Sequence, residues 1–137
     1  MKLLSVAIPC YNSENYMRHA VETLLVGGDD VEIIIVDDGS DDATPLICRD
    51  LEKAGYIDLY LRADVRGGKA SAANFGTNYS KGKYIVHLDA DSSLDRDAIE
   101  KILLPFYYDP KIKAVGGCVK VRNADASLCS SMQALEY

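Results

Sequence analysis

The sequence predicts an α/β fold with a mostly parallel central sheet flanked by helices. Three observations carry that expectation. Apolar segments with strand character alternate with segments of helical periodicity along the 137 residues. The apolar segments are nearly unbroken, as in strands covered on both faces. Three of them also end in polar residues: Pro9-Cys10-Tyr11-Asn12, Asp37-Asp38-Gly39-Ser40 and Asp89-Ala90-Asp91. In a parallel sheet such ends gather at one crevice beyond the carboxyl ends of the strands, where ligands bind.

Leu3 to Ile8 forms the first expected strand, ended by Pro9. Met17, Ala20, Val21, Leu24 and Leu25 recur at helical spacing, and Gly27-Gly28 closes that helix. Val31 to Val36 is a β-branched run interrupted only by Glu32. Thr44 is expected to cap the next helix, with Pro45 at its first position, Ile47, Leu51 and Ala54 on one side, and Gly55 at its end. Ile57 to Leu61 reads as a third strand. Gly67-Gly68 opens a small-residue helix through Ala70, Ala73 and Asn74. Tyr84 to Leu88 is the next strand. Asp95 is expected to cap a helix carrying Ala98, Ile99, Ile102, Leu103 and Phe106, which Pro105 should kink or end. Ala114 to Val121 is expected to add a strand, bent at Gly116-Gly117.

Composition excludes several classes. The hydrophobic content of 48% is globular, not disordered. A net charge of -6 argues against broad nucleic-acid binding, which needs a basic face. It also means that an anionic ligand must be met by local cations. Cys10, Cys48, Cys118 and Cys129 form no C-x-x-C pair, so zinc or redox chemistry is not expected and reduced intracellular thiols are. No apolar run approaches the roughly 20 residues that span a bilayer. Pro9 interrupts the first apolar stretch, so no signal peptide is expected.

Asp89 and Asp91 follow a buried strand, where two carboxylates can hold a divalent cation by oxygen, and that cation can hold a diphosphate. Asp95-Arg96-Asp97 repeats the spacing, but helix capping explains it better. Asp89, Asp91, Ser93, Asp95, Asp97 and Glu100 also fall on calcium-loop positions, with Leu94 where the sharp turn needs glycine and a strand where a helix should precede. Asp37-Asp38-Gly39-Ser40 reads either as a plain turn or as a carboxylate accepting hydrogen bonds from a base or ribose. No G-x-G-x-x-G follows the first strand, which argues against a nicotinamide or flavin fold. Arg66-Gly67-Gly68-Lys69 reads either as a flexible turn or as backbone N–H groups and a cation approaching a phosphate. It is not a Walker loop, since Ala63 and Ala70 stand where Gly and Ser/Thr are required. His19 is expected at the surface and His87 in the core; neither has the partners of a catalytic triad.

Together these segments resemble the family 2 glycosyltransferases of the GT-A fold, whose Rossmann-like half binds a nucleotide sugar. The matching residues are Ala7 to Asn12, Ile35 to Ser40, Gly68-Lys69-Ala70 with Asn74 and Gly76 behind it, and Leu88 to Asp91. Ala114 to Gly117, Val119 to Asn123 and Gln133 to Tyr137 look like the processive membrane synthases of chitin, hyaluronan, cellulose and poly-N-acetylglucosamine.

The resemblance implies a metal-dependent, inverting transferase using a UDP-sugar donor. The Gly68-Lys69-Ala70 and Arg122-Asn123 segments lean toward an N-acetylhexosamine. By position, Pro9, Tyr11 and Glu14 would line the uridine pocket, although Ser13 separates Glu14 from Asn12. Asp37 or Asp38 would contact uracil or ribose, and Lys69 would lie near the diphosphate. Asp89 and Ala90 would face ribose or donor sugar. Asp91, with Asp89, would hold Mg or Mn. Residues 1–137 would then be the donor-binding part of a GT-A domain, with the general base, the acceptor half and the membrane helices beyond Tyr137. The parent would act on a glycan acceptor at the cytoplasmic face of a membrane. Apolar surface left by the missing half would favour dimerisation of the fragment. Two other readings stay open: a non-processive family 2 transferase acting on lipid or protein, and a non-catalytic nucleotide- or calcium-binding module.

Overall fold

The computed structural model describes residues 1–121. The chain divides into two compact units, Met1–Arg96 and Asp97–Tyr137.

The first unit holds β1 (Leu4–Cys10), α1 (Met17–Leu24), a 3-10 segment (Leu25–Asp30), β2 (Val31–Asp37), α2 (Thr44–Lys53), β3 (Leu59–Arg62), α3 (Lys69–Tyr79) and β4 (Tyr84–His87). All four strands are parallel, in the order β3-β2-β1-β4. Every residue of β1 and β2 is buried, which accounts for their unbroken apolar runs. α1 packs against α2 and α3 packs on β1 and β2; with the usual right-handed crossovers this strand order places α1 and α2 on one face of the sheet and α3 on the other. Ile34 and Val36 meet Ala72 of α3, and Leu59, Leu61 and Phe75 border that cluster. Gly76 brings α3 close to the sheet: a Cβ there would lie 3.0 Å from both Ala7 Cβ and Val36 Cγ2.

Register fixes the upper edge. Cys10 pairs with Asp37, and Ala7 pairs with His87, so the chain leaves β1, β2 and β4 at neighbouring heights. The strand order reverses between β1 and β4, which makes their carboxyl ends the topological switch point. A polar brace sets the lower edge. Buried Glu32 accepts Ser5 Oγ at 2.5 Å and Lys81 N at 2.9 Å, while Ser5 Oγ accepts Gly82 N at 2.7 Å. These bonds hold the α3–β4 turn against β1 and β2.

Several boundaries differ from expectation for physical reasons. β3 begins at Leu59 because Asp58 already closes its side: its N–H donates to Ile33 O and its carboxylate accepts Ile33 N at 2.9 Å. Thr44 is the first residue of α2 instead of its cap; the Asp42 carboxylate accepts Thr44 N, and Pro45 follows. His87 is exposed, with Nε2 3.4 Å from Thr77 Oγ1, because β4 pairs only with β1 among the described residues.

The second unit contains α4 (Ala98–Tyr108), whose N-cap is Asp97 and not Asp95, with no side-chain capping bond. Pro105 does not end it. The helix runs three residues further, and Asp109 N closes the last turn on Pro105 O. Residues 114–121 form no strand; the Gly116-Gly117 pair finds no partner strand among the described residues to offset its backbone entropy. Arg122-Asn123 and Gln133 to Tyr137 lie outside the described residues.

The brace yields a first prediction. A Cβ on Gly82 would lie 2.5 Å from Ser5 N and 2.7 Å from Leu4 C, backbone atoms that cannot swing aside. Gly82→Ala should therefore destabilise the chain by about 1–3 kcal/mol. Urea unfolding checks this; an unchanged midpoint contradicts it.

Candidate functional site

Four loops, those after β1, β2, β3 and β4, meet above the switch point. The loop after β1 turns at Asn12, a non-glycine residue in the left-handed region with φ 48°. Polar ties to the loop after β2 hold it there. Asn12 N donates to Ser40 Oγ at 2.9 Å, and the Asn12 amide exchanges two hydrogen bonds with Asp41. Ser13 N donates to Thr44 Oγ1 at 2.8 Å. Glu14 joins this seam: its carboxylate accepts Ala43 N at 2.8 Å.

The adjacent acids Asp37 and Asp38 have different surroundings. Asp37 is fully buried. Its Oδ1 accepts Ser40 N at 2.8 Å, and its Oδ2 accepts Tyr60 Oη at 2.7 Å and Arg62 Nη1 at 2.5 Å. Burial first, then the hydrogen bond to this carboxylate, pushes the Tyr60 phenol well above its ordinary value. Asp38 faces the crevice, with its two oxygens accepting Gly67 N at 2.7 Å and Gly68 N at 2.8 Å. A carboxylate has about four acceptor positions, so Asp38 can still receive further donors. Of the two readings of the Gly67-Gly68 pair, turn or phosphate approach, the structure shows a turn in which both amides donate to Asp38.

A cleft of about 360 Å³ lies between these loops. Pro9, Cys10, Tyr11, Asn12, Ser13 and Tyr16 line it from the first loop, Asp38 from the second, Arg66, Lys69 and Ala72 from the approach to α3 and its first turn, and Asp89, Ala90 and Asp91 from the loop after β4. The Arg66 guanidinium lies 3.8 Å from the centroid of the Tyr11 ring. Lys69 Nζ lies 2.6 Å from Asp89 Oδ1, with the side chains 70% and 50% exposed. An ion pair so exposed contributes at most about 1 kcal/mol, so an anion arriving at Lys69 can displace it. The hydrogen bond with Cys48, then burial, raises the Cys10 thiol far above its usual range, so it stays protonated and is no nucleophile.

Seven of the nine residues expected at the site thus share one cleft: Pro9, Tyr11, Asp38, Lys69, Asp89, Ala90 and Asp91. Asp37 and Glu14 do not reach it and instead tie its loops together. Arg66, Asn12 and Tyr16 were not among the expected site residues. Arg66 had a legible signal, a cation directly before the Gly67-Gly68 pair. Tyr16 had none, since its place depends on how α1 begins.

The chemistry of this set is that of an anion with a flat, hydrogen-bonding head group. Tyr11 offers an aromatic face, Asp38 accepts donors, Arg66 and Lys69 supply positive charge, and Asp89 and Asp91 offer hard oxygens on one tight turn, in which Ser92 N donates to Asp89 O at 2.9 Å. Among the described residues no three His, Cys, Asp or Glu side chains come together as a metal cage. A carboxylate pair suits instead a cation that takes further ligands from substrate phosphates and water, as Mg does.

A family model for Glycosyl transferase family 2 matches residues 5–129. The chain is 33% identical over 135 residues to the poly-β-1,6-N-acetyl-D-glucosamine synthase of Staphylococcus epidermidis, covering 98% of this chain and 32% of that protein. It is 31% identical over 102 residues to the minor teichoic acid biosynthesis protein GgaB of Bacillus subtilis, covering 72% of this chain and 11% of that protein. Among solved structures, the mannosyltransferase PcManGT of Pyrobaculum calidifontis, in complex with GDP-Man and Mn2+, shares the fold with a TM-score of 0.74 and 28% identity, over 85% of this chain and 35% of that one. The chain therefore spans about a third or less of the length of these proteins.

The Asp42 carboxylate belongs to the seam between the first two loops, where it accepts Glu14 N and Thr44 N. Burial acts to raise the Asp42 carboxyl, but hydrogen bonds from Thr44 and Glu14 outweigh it and leave the group below its ordinary value near 3.8. A depressed carboxylate contributes its stability fully above that value and loses it as pH falls through the folded-state value. Asp42→Ala should cost roughly 0.5–1 kcal/mol at neutral pH. The gap from wild type should close below the ordinary carboxylate range. Thermal unfolding from pH 7 to pH 3 reads this, and a gap independent of pH contradicts it.

Proposed function

The chain belongs to glycosyl transferase family 2, and from that premise we propose that its cleft binds the nucleoside diphosphate of an activated sugar, a UDP-N-acetylhexosamine. The observation that carries this reading is the convergence of Asp38, Lys69, Asp89 and Asp91 on one cleft at the switch point. Tyr11 stacks on the base and Asp38 accepts its N–H or a ribose hydroxyl through its remaining lone pairs. Lys69 leaves Asp89 to meet the diphosphate. Asp89 then turns to ribose or donor sugar, and Asp91, with Asp89, holds Mg or Mn. A divalent cation there, when bound, neutralises charge on the departing diphosphate. The mannosyltransferase neighbour crystallised with GDP-Man and Mn2+ supports a nucleotide sugar with a metal, and the name of the synthase relative supports N-acetylglucosamine.

The synthase match covers nearly all of this chain, so we favour polysaccharide synthesis, with this chain as the donor-binding part and the acceptor's general base elsewhere in the parent protein. The parent would be membrane-embedded with the donor site on the cytoplasmic side; among the described residues no helix is long and apolar enough to cross a membrane. A second reading, a role in teichoic acid biosynthesis, draws on the likeness to GgaB, which covers less of the chain.

Calorimetry tests the reading. UDP with Mn2+ should bind at millimolar concentration or better, and Ca2+ alone should not. Asp91→Ala should weaken the Mn2+-dependent binding at least about tenfold, or 1.4 kcal/mol, with the thermal midpoint unchanged. Equal UDP affinity in wild type and variant would reject the role of Asp91. No UDP binding by wild type would reject the function.

A further inference from the structure

We propose that Tyr60 and Arg62, two β3 residues outside the cleft, are positioning residues that set its affinity for a nucleoside diphosphate by holding the buried Asp37 carboxylate. The affinity part of this inference rests on the function proposed above; the brace itself does not.

Residues 60 and 62 share one face of β3, while Leu59 and Leu61 border the apolar cluster under α3. Both polar side chains end on Asp37 Oδ2, at 2.7 Å and 2.5 Å. The guanidinium also donates through Nη2 to Ser40 O at 2.9 Å, so one planar group grips both ends of the turn from Asp37 to Ser40. Asp37 is 0% exposed in its side chain and Arg62 is 30% exposed. A buried carboxylate tolerates its site only when paired and hydrogen-bonded, and Arg62 is the cation that pairs it.

Asp38 is inside the gripped turn. Its two oxygens fix the Gly67 and Gly68 amides, directly before Lys69. Ser40 Oγ fixes Asn12 N in the opposite wall. Gly39, at φ 77°, holds the turn in the left-handed region that favours glycine, and it packs beside the loop after β3, where a Cβ would make ordinary contact 3.5 Å from Ala63 O and Arg66 N. Displacing Asp37 therefore moves Asp38, the start of α3 and the loop after β1 together. Tyr60 and Arg62 touch no part of the cleft themselves, so their effect on a ligand must pass through this turn.

The test compares wild type with Arg62→Gln, Arg62→Lys and Tyr60→Phe by amide hydrogen exchange and by UDP titration with Mn2+. Arg62→Gln should speed exchange at the Ser40, Gly67 and Gly68 amides at least tenfold relative to the amides of β1, and should weaken UDP about tenfold. Arg62→Lys should recover part of that loss, because an ammonium pairs Asp37 but cannot also reach Ser40 O. Tyr60→Phe should act in the same direction more weakly, and decides the matter if Arg62→Gln does not fold. Exchange that stays unchanged at the three amides, or rises uniformly across the sheet, overturns the brace. A local rise with unchanged UDP affinity overturns its link to the ligand. Wild type that fails to bind UDP overturns the functional reading and the affinity claim with it, and the exchange pattern alone then decides the brace.

Discussion

A carboxylate with no access to water must be neutralised and hydrogen-bonded where it stands, and Asp37 meets that requirement with three partners, two from β3 and one from the turn that follows β2. The constraint fixes more than one residue. Satisfying Asp37 orients the turn that follows β2, and that turn carries Asp38 into the crevice and Ser40 against the loop after β1. Asp38 in turn consumes the two glycine amides that begin α3. The loops after β1, β2 and β3 are thus tied into one hydrogen-bonded assembly.

Charge then decides what the cleft can hold. Its cations are few, in keeping with a chain of net charge -6, and each has a partner: Arg66 lies over Tyr11 and Lys69 lies against Asp89. The Lys69–Asp89 pair is exposed and therefore weak, whereas the Arg62–Asp37 pair is anchored on a carboxylate with no exposure. The contrast separates two roles. Under the proposed function, the first pair would exchange for a diphosphate and a cation, while the second would hold the frame. With the Gly67 and Gly68 amides taken by Asp38, the proposed phosphate recognition would fall to side chains, Lys69 among them.

The sheet was legible in the sequence because β1 and β2 are buried on both faces and write that burial as unbroken apolar runs. The ends of edge elements were less so. Asp58 replaces a strand residue with a side-chain bond, which periodicity cannot show. His87 sits in an apolar run yet faces solvent, because a run does not say how many neighbours its strand has. Asp37 and Asp38 are indistinguishable by composition; they separate only once the end of β2 is fixed, since successive side chains there point in opposite directions. The Tyr60-x-Arg62 signal was present at period two, but its meaning depends on Asp37 across the sheet, a contact that local pattern does not encode. Glu14 illustrates the converse, a residue matched to a family pattern whose carboxylate caps a neighbouring loop.

The central claim is that one cleft, between the Asp38 turn and the Asp89-Ala90-Asp91 turn, holds base, diphosphate and metal together. Paramagnetic broadening of amide signals by Mn2+ in the presence of UDP tests it most directly. Broadening centred on Asp89 to Ser92, with UDP-dependent shifts at Tyr11, Asp38 and Lys69, is the predicted result. Broadening centred on Asp95, Asp97 and Glu100, or unaffected by UDP, would contradict it.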